Sequence, residues 1–345
     1  MANLGIIGFG YWGPNLVRNF NSIPGCEVAY CADLDEKRLQ HAKSLYPKIH
    51  ATKDYHEILN DKKIDAVIVA TQIETHYKIA KDALNAGKHV LIEKPMTNNS
   101  ADAKDLIKLA EKNKKVLMVD HTFEYSSPVR KIREIIESGE LGHVLTIDMI
   151  RVNLGLFQEK ANVVWDLAPH DVSMLIYYLG HAPLSARAYG QSYIMEGVED
   201  DAHINLAFKD KIMASMHVSW LDPCKIRRTS IVGNKKMLVY DDVAQDEKIK
   251  IYDKGVTVQK NNVPKMPYYD TYEQWVLNYR SGDVHVPKVD NKEPLNIMAN
   301  HFIDCIKNNK KPMTDGHSGL RVVKVIEAIQ QSLKSDGKRV MIEND

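Results

Sequence analysis

The chain has few cysteines, almost no net charge and no long apolar run. Its four cysteines, Cys26, Cys31, Cys224 and Cys305, form no CxxC pair and no zinc-type spacing. That argues against a disulfide framework and leaves them as small apolar residues in a reducing compartment. No metal ligand set is expected. The 46 Lys plus Arg balance 45 Asp plus Glu, so no overall basic field draws in nucleic acid or an anionic membrane, and neither is expected as a partner. No stretch approaches the roughly 20 apolar residues of a membrane span. Met1-Ala2-Asn3 runs into an apolar segment without a basic leader, and the expectation is a cytoplasmic protein. Repeats and low-complexity segments are also missing. At 345 residues the chain suits two domains.

What is present starts at the N-terminus. Leu4-Gly5-Ile6-Ile7 leads into Gly8-Phe9-Gly10-Tyr11-Trp12-Gly13. An acidic residue, Asp33, ends the next apolar run, and 33 − 13 = 20 residues is about the spacing of a dinucleotide-binding βαβ unit. Gly8 allows the tight turn out of the strand. Gly10 lets the backbone approach a pyrophosphate, and Gly13 lets the helix pack on the strand. The helix N-terminus then faces the phosphates. Tyr11 and Trp12 lie in the same loop. Asp33 is placed to accept hydrogen bonds from the adenosine ribose and to repel a 2′-phosphate. NAD is therefore the expected cofactor, and Leu34, Asp35 and Glu36 place no Arg directly after it.

Strands read at 4–7, 28–32, 66–70, 89–92 and 116–119, with helical patterns such as 77–86 and 101–112 between them. This alternation predicts a doubly wound parallel sheet over residues 1–121, with ligands at the C-terminal strand ends. Residues 122–345 read differently. A helix over 127–138 and a strand over 144–152 precede a helix at about 169–179. Consecutive β-like runs follow at 186–194, 202–208, 212–220, 227–232, 236–240 and 248–252, with a weaker one at 256–259. Helices at 294–308 and 318–334 and a strand at 339–342 close the chain. The expected fold class is α/β: a cofactor-binding parallel sheet, then an α+β domain with a large, mostly antiparallel open sheet for substrate binding and oligomerisation. The helix at 318–334 is a candidate to pack back on the first domain. The open sheet face is a candidate subunit interface, so a homodimer or homotetramer is expected.

Two segments carry chemistry. Glu93-Lys94-Pro95 follows a strand directly. An ammonium at that edge stabilises a developing alkoxide, and Pro95 biases Lys94 toward extended or turn geometry. In Trp165-Asp166-Leu167-Ala168-Pro169-His170-Asp171, Asp166 reads as near an N-cap and Pro169 as close to the first turn. Asp166 and His170 are four apart and share a helix face. Histidine is the natural general base near neutral pH. A capped helix with a structural histidine accounts for the segment equally well.

Together these elements, with Ala86-Gly87-Lys88-His89-Val90-Leu91 before Glu93-Lys94-Pro95, resemble the glucose–fructose oxidoreductase / inositol dehydrogenase / MocA family. The resemblance covers nearly the whole chain. It implies a Rossmann domain, a C-terminal α/β domain with an open sheet, and substrates among sugars, cyclitols and nucleotide sugars. It also implies that Lys94 and His170 line the active site, assisted by Asp166, with Thr71, His76 and Glu93 beside the cofactor. Ala70-Thr71-Gln72 lacks the proline common after Ala-Thr in that family.

Val119-Asp120-His121-Thr122-Phe123-Glu124-Tyr125 and Arg151-Val152-Asn153-Leu154-Gly155 resemble family members that oxidise the C3 hydroxyl of UDP-linked amino sugars, ahead of an aminotransferase. The resemblance implies a UDP-sugar substrate, UDP-N-acetylglucosamine foremost, with His121, Arg151, Asn153 and Tyr268 as substrate contacts. Tyr269 and Asp270 belong to the same candidate loop. The uronic-acid sugar calls for an additional cation, and Arg151 is the obvious candidate in these segments, so the neutral sugar is preferred. An inositol or simple-sugar dehydrogenase, a redox-neutral enzyme and a non-catalytic NAD-binding module are the alternatives. The presence of both Lys94 and His170 argues against the last.

Overall fold

The computed structural model describes residues 2–159, 161–258 and 277–343. The first sheet uses β1 (Ala2–Ile7), β2 (Cys26–Ala32), β3 (His50–Thr52), β4 (Ala66–Val69), β5 (His89–Glu93) and β6 (Leu117–Asp120). Its strand order is β3-β2-β1-β4-β5-β6 and every pair is parallel. Between them run α1 (Gly13–Asn21), α2 (Glu36–Leu45), α3 (His56–Asn60), α4 (Ile73–Asn85) and α5 (Ser100–Lys112). β4 is a short, fully buried apolar run, Ala66-Val67-Ile68-Val69, as a strand covered on both faces requires.

The second half contributes α6 (Ser127–Glu137), β7 (Val144–Val152), α7 (Val163–Leu179), β8 (Ser185–Gln191), β9 (Asp201–Ala207), β10 (Met213–Ser219), β11 (Ile226–Gly233), β12 (Met237–Asp241), β13 (Ile249–Val258), β14 (Leu277–His285), α8 (Pro294–Asn308), α9 (Gly316–Lys334) and β15 (Val340–Met341). Nine strands form one sheet, ordered β14-β13-β12-β11-β7-β10-β9-β8-β15. Only the β7–β10 pair is parallel. One face packs on α6, α7 and α9 through residues such as Ile132, Val172 and Ile326. The other carries the exposed or half-buried side chains of the alternating strands, among them Asp148, His203 and Arg228.

Three elements depart from the sequence reading. α7 starts at Val163, not near 169. Its cap is Asn162, whose side chain accepts the Trp165 N–H at 3.1 Å. Asp166 is therefore inside the helix and Pro169 lies in its second turn. The runs at 248–252 and 256–259 are one strand, β13. β14 is an edge strand whose polar residues and Gly282 weaken the alternation that would announce it.

The last two long helices join the halves. α8 lays Leu295, Met298 and Phe302 against α1 and the first sheet. α9 puts Leu320 and Val323 into the core under the other face of that sheet, and Val322, Ile326 and Ile329 into the core of the second.

Candidate active site

At the end of β1 the three glycines do different jobs. Gly8 has φ +96°, and a Cβ there would lie 2.4 Å from the Ala70 carbonyl oxygen. A Cβ on Gly13 would press on the Phe9 ring at 3.0 Å and on the Gly8 oxygen at 3.2 Å. A Cβ on Gly10 would meet nothing nearer than the Arg38 guanidinium at 3.9 Å, so this backbone faces an open cradle. Trp12 caps α1 without a side-chain hydrogen bond, which leaves the first-turn N–H groups available to an anion. Tyr11 is exposed and Trp12 half exposed at the mouth of this cradle.

Asp33 follows β2. Its carboxylate accepts the Phe9 N–H at 2.7 Å and the Asp35 N–H at 2.9 Å. It thus locks the glycine turn from the C-terminal end of β2. Sequence reading missed Arg38, whose Nη1 is 3.5 Å from Asp33 Oδ2. The signal was the five-residue step from Asp33 to the first turn of α2. Thr71 follows β4, takes a hydrogen bond from Thr75 Oγ1 at 2.7 Å, and borders the Gly8 turn. His76 is buried inside α4. Its ring nitrogens lie 3.0 Å from the carbonyl oxygens of Thr71 and Pro95, so it spans the cofactor loop and the Glu-Lys-Pro turn. Burial lowers its pKa.

Lys94 leaves β5 at that turn, where the Lys94–Pro95 peptide is cis. Its Nζ donates to the Asp166 main-chain oxygen at 2.8 Å and lies 3.6 Å from Asp166 Oδ1. Pro169 brings no N–H to the Trp165 carbonyl one turn back and crowds it, next to the Asp166 carbonyl that takes the lysine. Trp220 Nε1 donates to Asp166 Oδ2 at 3.1 Å and fixes the carboxylate from the other side. His170 stands one helical turn further along the same face. Its ring meets the Phe123 ring edge-on, centroids 5.1 Å apart. Burial first, then the positive charges of Lys94, Arg151 and Arg227, holds its pKa well below the usual imidazole range. The imidazole is therefore neutral and able to take a proton.

Around this pair lie further buried groups. Glu93 and Asp120 are register partners on β5 and β6. Burial raises both pKa values, that of Glu93 well above the ordinary carboxylate range with Asp120 adding to the rise, so the pair retains a proton. Thr122 Oγ1 donates to Asp120 Oδ1. His121 is 1% exposed, and among the described residues neither ring nitrogen has a partner. Burial, with help from Lys94, drives its pKa down to about 3.

The remaining substrate candidates are placed differently. Arg151 is buried, and its Nε and Nη2 both donate to Asp171 Oδ1, at 2.9 and 2.6 Å. Its guanidinium rests 4.7 Å from the Phe123 ring centroid. This arginine is engaged by an internal carboxylate. Asn153, just past β7, donates its backbone N–H to the Ser219 oxygen at 3.2 Å. Tyr268, Tyr269 and Asp270 lie outside the described residues.

A family model described as "Oxidoreductase family, NAD-binding Rossmann fold" matches residues 2–121, and one described as "GFO/IDH/MocA C-terminal domain" matches residues 129–239. The chain belongs to the Gfo/Idh/MocA family of oxidoreductases. Its first domain is an NAD-binding fold, and the open Gly10 cradle with Asp33 at the next strand end fits that cofactor. Myo-inositol 2-dehydrogenase of Thermotoga maritima is 25% identical, over 96% of this chain and 96% of that protein. A putative oxidoreductase structure from Magnetospirillum magnetotacticum is 26% identical with TM-score 0.79, covering 95% of this chain and 99% of that one. The UDP-N-acetylglucosamine 3-dehydrogenase GnnA of Acidithiobacillus ferrooxidans shares the fold, with TM-score 0.77 and 21% identity, covering 96% of this chain and 97% of that one. Among the described residues no helix is long and apolar enough to cross a membrane.

Proposed function

We propose that this oxidoreductase uses NAD, in preference to NADP, to oxidise a secondary ring hydroxyl of a neutral polyol, a sugar or a cyclitol. The observation behind the reading is the contact of Lys94 with Asp166 at the C-terminal edge of the first sheet, with a neutral His170 one helical turn along α7 from Asp166. Gly8, Gly10, Gly13, Asp33, Thr71 and Glu93 would hold the cofactor. When bound, NAD supplies the acceptor for the hydride. The protein's own groups manage the proton and the oxygen. His170 takes the hydroxyl proton, Lys94 stabilises the oxygen as charge develops, and Asp166 orients Lys94. His121, buried without a partner, is a donor or acceptor for a ring hydroxyl. The open face of the nine-stranded sheet is proposed as the contact between subunits.

Two substrates are in view. The segments 119–125 and 151–155 point to the C3 hydroxyl of UDP-N-acetylglucosamine, with an aminotransferase as the next step. The name of the Thermotoga relative points to a free cyclitol. The engagement of Arg151 by Asp171 removes one cation expected to meet a diphosphate or a uronic carboxylate, which favours an uncharged ring. The deciding experiment is NADH production from myo-inositol, free hexoses, UDP-N-acetylglucosamine and its uronic acid, with products mapped by NMR. Lys94→Ala and His170→Ala should each lower kcat by about 10²–10⁴ with NAD affinity nearly unchanged. Turnover close to wild type in both folded variants refutes the assignment.

A further inference from the structure

Three metal-ligating side chains meet on the open face of the nine-stranded sheet, opposite the face that carries Trp220. Asp201 and His203 are two apart on β9, so the pleat turns both to the same side. His217 on β10 is the direct antiparallel partner of His203. Their rings stack, with centroids 4.1 Å apart and planes at 11°. Asp201 Oδ2 lies 3.0 Å from His217 Nε2, and Asp201 Oδ1 lies 3.6 Å from His203 Nε2. A donor atom from each of the three residues falls within 4.8 Å of the other two. Val218 and Trp220, the residues after His217, are buried in the core on the opposite face.

One carboxylate thus faces two stacked imidazoles at once, at 3.0 and 3.6 Å. Among the described residues, none of the direct register partners is a cation. In register, Asp201 faces Gln191 and Ser219, His203 faces Tyr189, and His217 faces Ile150. A divalent cation satisfies all three groups together, with both imidazoles neutral and the carboxylate ionised.

We propose that Asp201, His203 and His217 form a site for a divalent transition-metal ion, Zn²⁺ foremost. Two imidazole nitrogens and one carboxylate oxygen suit Zn²⁺, Co²⁺, Ni²⁺ or Cu²⁺, whereas Ca²⁺ and Mg²⁺ seek oxygen ligands. Bonds of about 2.0–2.1 Å require the donors to draw together. The His203 side chain, 64% exposed, is free to turn, while Asp201 and His217 are already in contact. Three protein ligands leave a fourth position on the face proposed above to meet a second subunit, for water or a donor from that subunit.

The test uses full-length, tag-free protein stripped with a chelator. Zn²⁺ is titrated by calorimetry, and Co²⁺ by the visible bands of the four-coordinate ion. One ion per chain is expected. Asp201→Asn, His203→Ala and His217→Ala should each weaken binding on the order of a hundredfold, and His56→Ala should leave it unchanged. His203→Ala alters an exposed side chain and guards against misfolding of the other two, which are checked by circular dichroism. Absence of saturable binding, or equal affinity in all four variants, overturns the site.

Discussion

Arg151 separates a substrate contact from a structural role. Its side chain is 5% exposed and that of Asp171 2%, and two hydrogen bonds join them. Arg151→Met would leave the Asp171 carboxylate buried without its hydrogen-bonding partner, while Arg227, which lines the same pocket, is paired with Asp242. Breaking a buried pair in this way costs about 3–5 kcal/mol. For a cooperative unit of about 150–250 residues each kcal/mol moves Tm by roughly 2–4 °C. The variant should therefore melt on the order of 10 °C below wild type, measured by calorimetry or circular dichroism. Arg151→Met/Asp171→Leu should regain most of the loss, because a buried ion pair and a well-packed apolar pair are close in net stability. Turnover in the single variant should also fall, since Arg151 lies on Phe123 and Phe123 abuts His170. A Tm within about 2 °C of wild type with a large rise in KM would refute this reasoning and return Arg151 to the substrate.

Further outcomes follow from the cofactor loop and the base. Asp33→Ala loses a charge-assisted hydrogen bond to the glycine turn as well as the ribose acceptor; at about 1.5–3 kcal/mol, NAD should bind roughly ten- to hundredfold more weakly. With Arg38 left beside the vacated carboxylate, NADP should gain relative to NAD in a fluorescence titration, and an unchanged preference would count against the ribose assignment. Because the folded pKa of His170 lies well below its ordinary value, kcat/KM should hold as pH falls through about 6.5 and decline only at lower pH. The same shift makes folding stability complete above about 6.5 and progressively lost below it, because the unfolded chain takes up the proton first. A rate limb at the ordinary histidine value would contradict the burial that sets this shift.

Local signals in the sequence went far toward the first half of the fold. Glycine spacing, Asp33 and the alternation of strand and helix are short-range features, and the parallel sheet follows from them. Most of the consecutive strands of the second half were readable too, β14 excepted. What the sequence hides is long-range. Lys94 meets Asp166 across 72 positions, and nothing in either segment names the other. Periodicity shows that α8 has an apolar face but not that α1 receives it. The start of α7 was misplaced because Pro169 resembles a first-turn proline, whereas Asn162 is the residue that closes the helix end. Arg151 was open to a better reading. Ile147, Met149 and Arg151 share one period-two face, and that face is the buried one. The Asp201–His203 step on β9 is likewise visible as a pair, but its completion by His217 depends on strand register.

The closing helix α9 has a consequence for how the enzyme moves. One rigid rod carries neighbouring side chains into the hydrophobic interiors of both halves. A hinge that swung the halves apart would tear one set of these side chains out of its packing. Motion between the two halves is therefore left to loops, and the spacing between the cofactor half and the half that carries the nine-stranded sheet stays as constant as the helix itself.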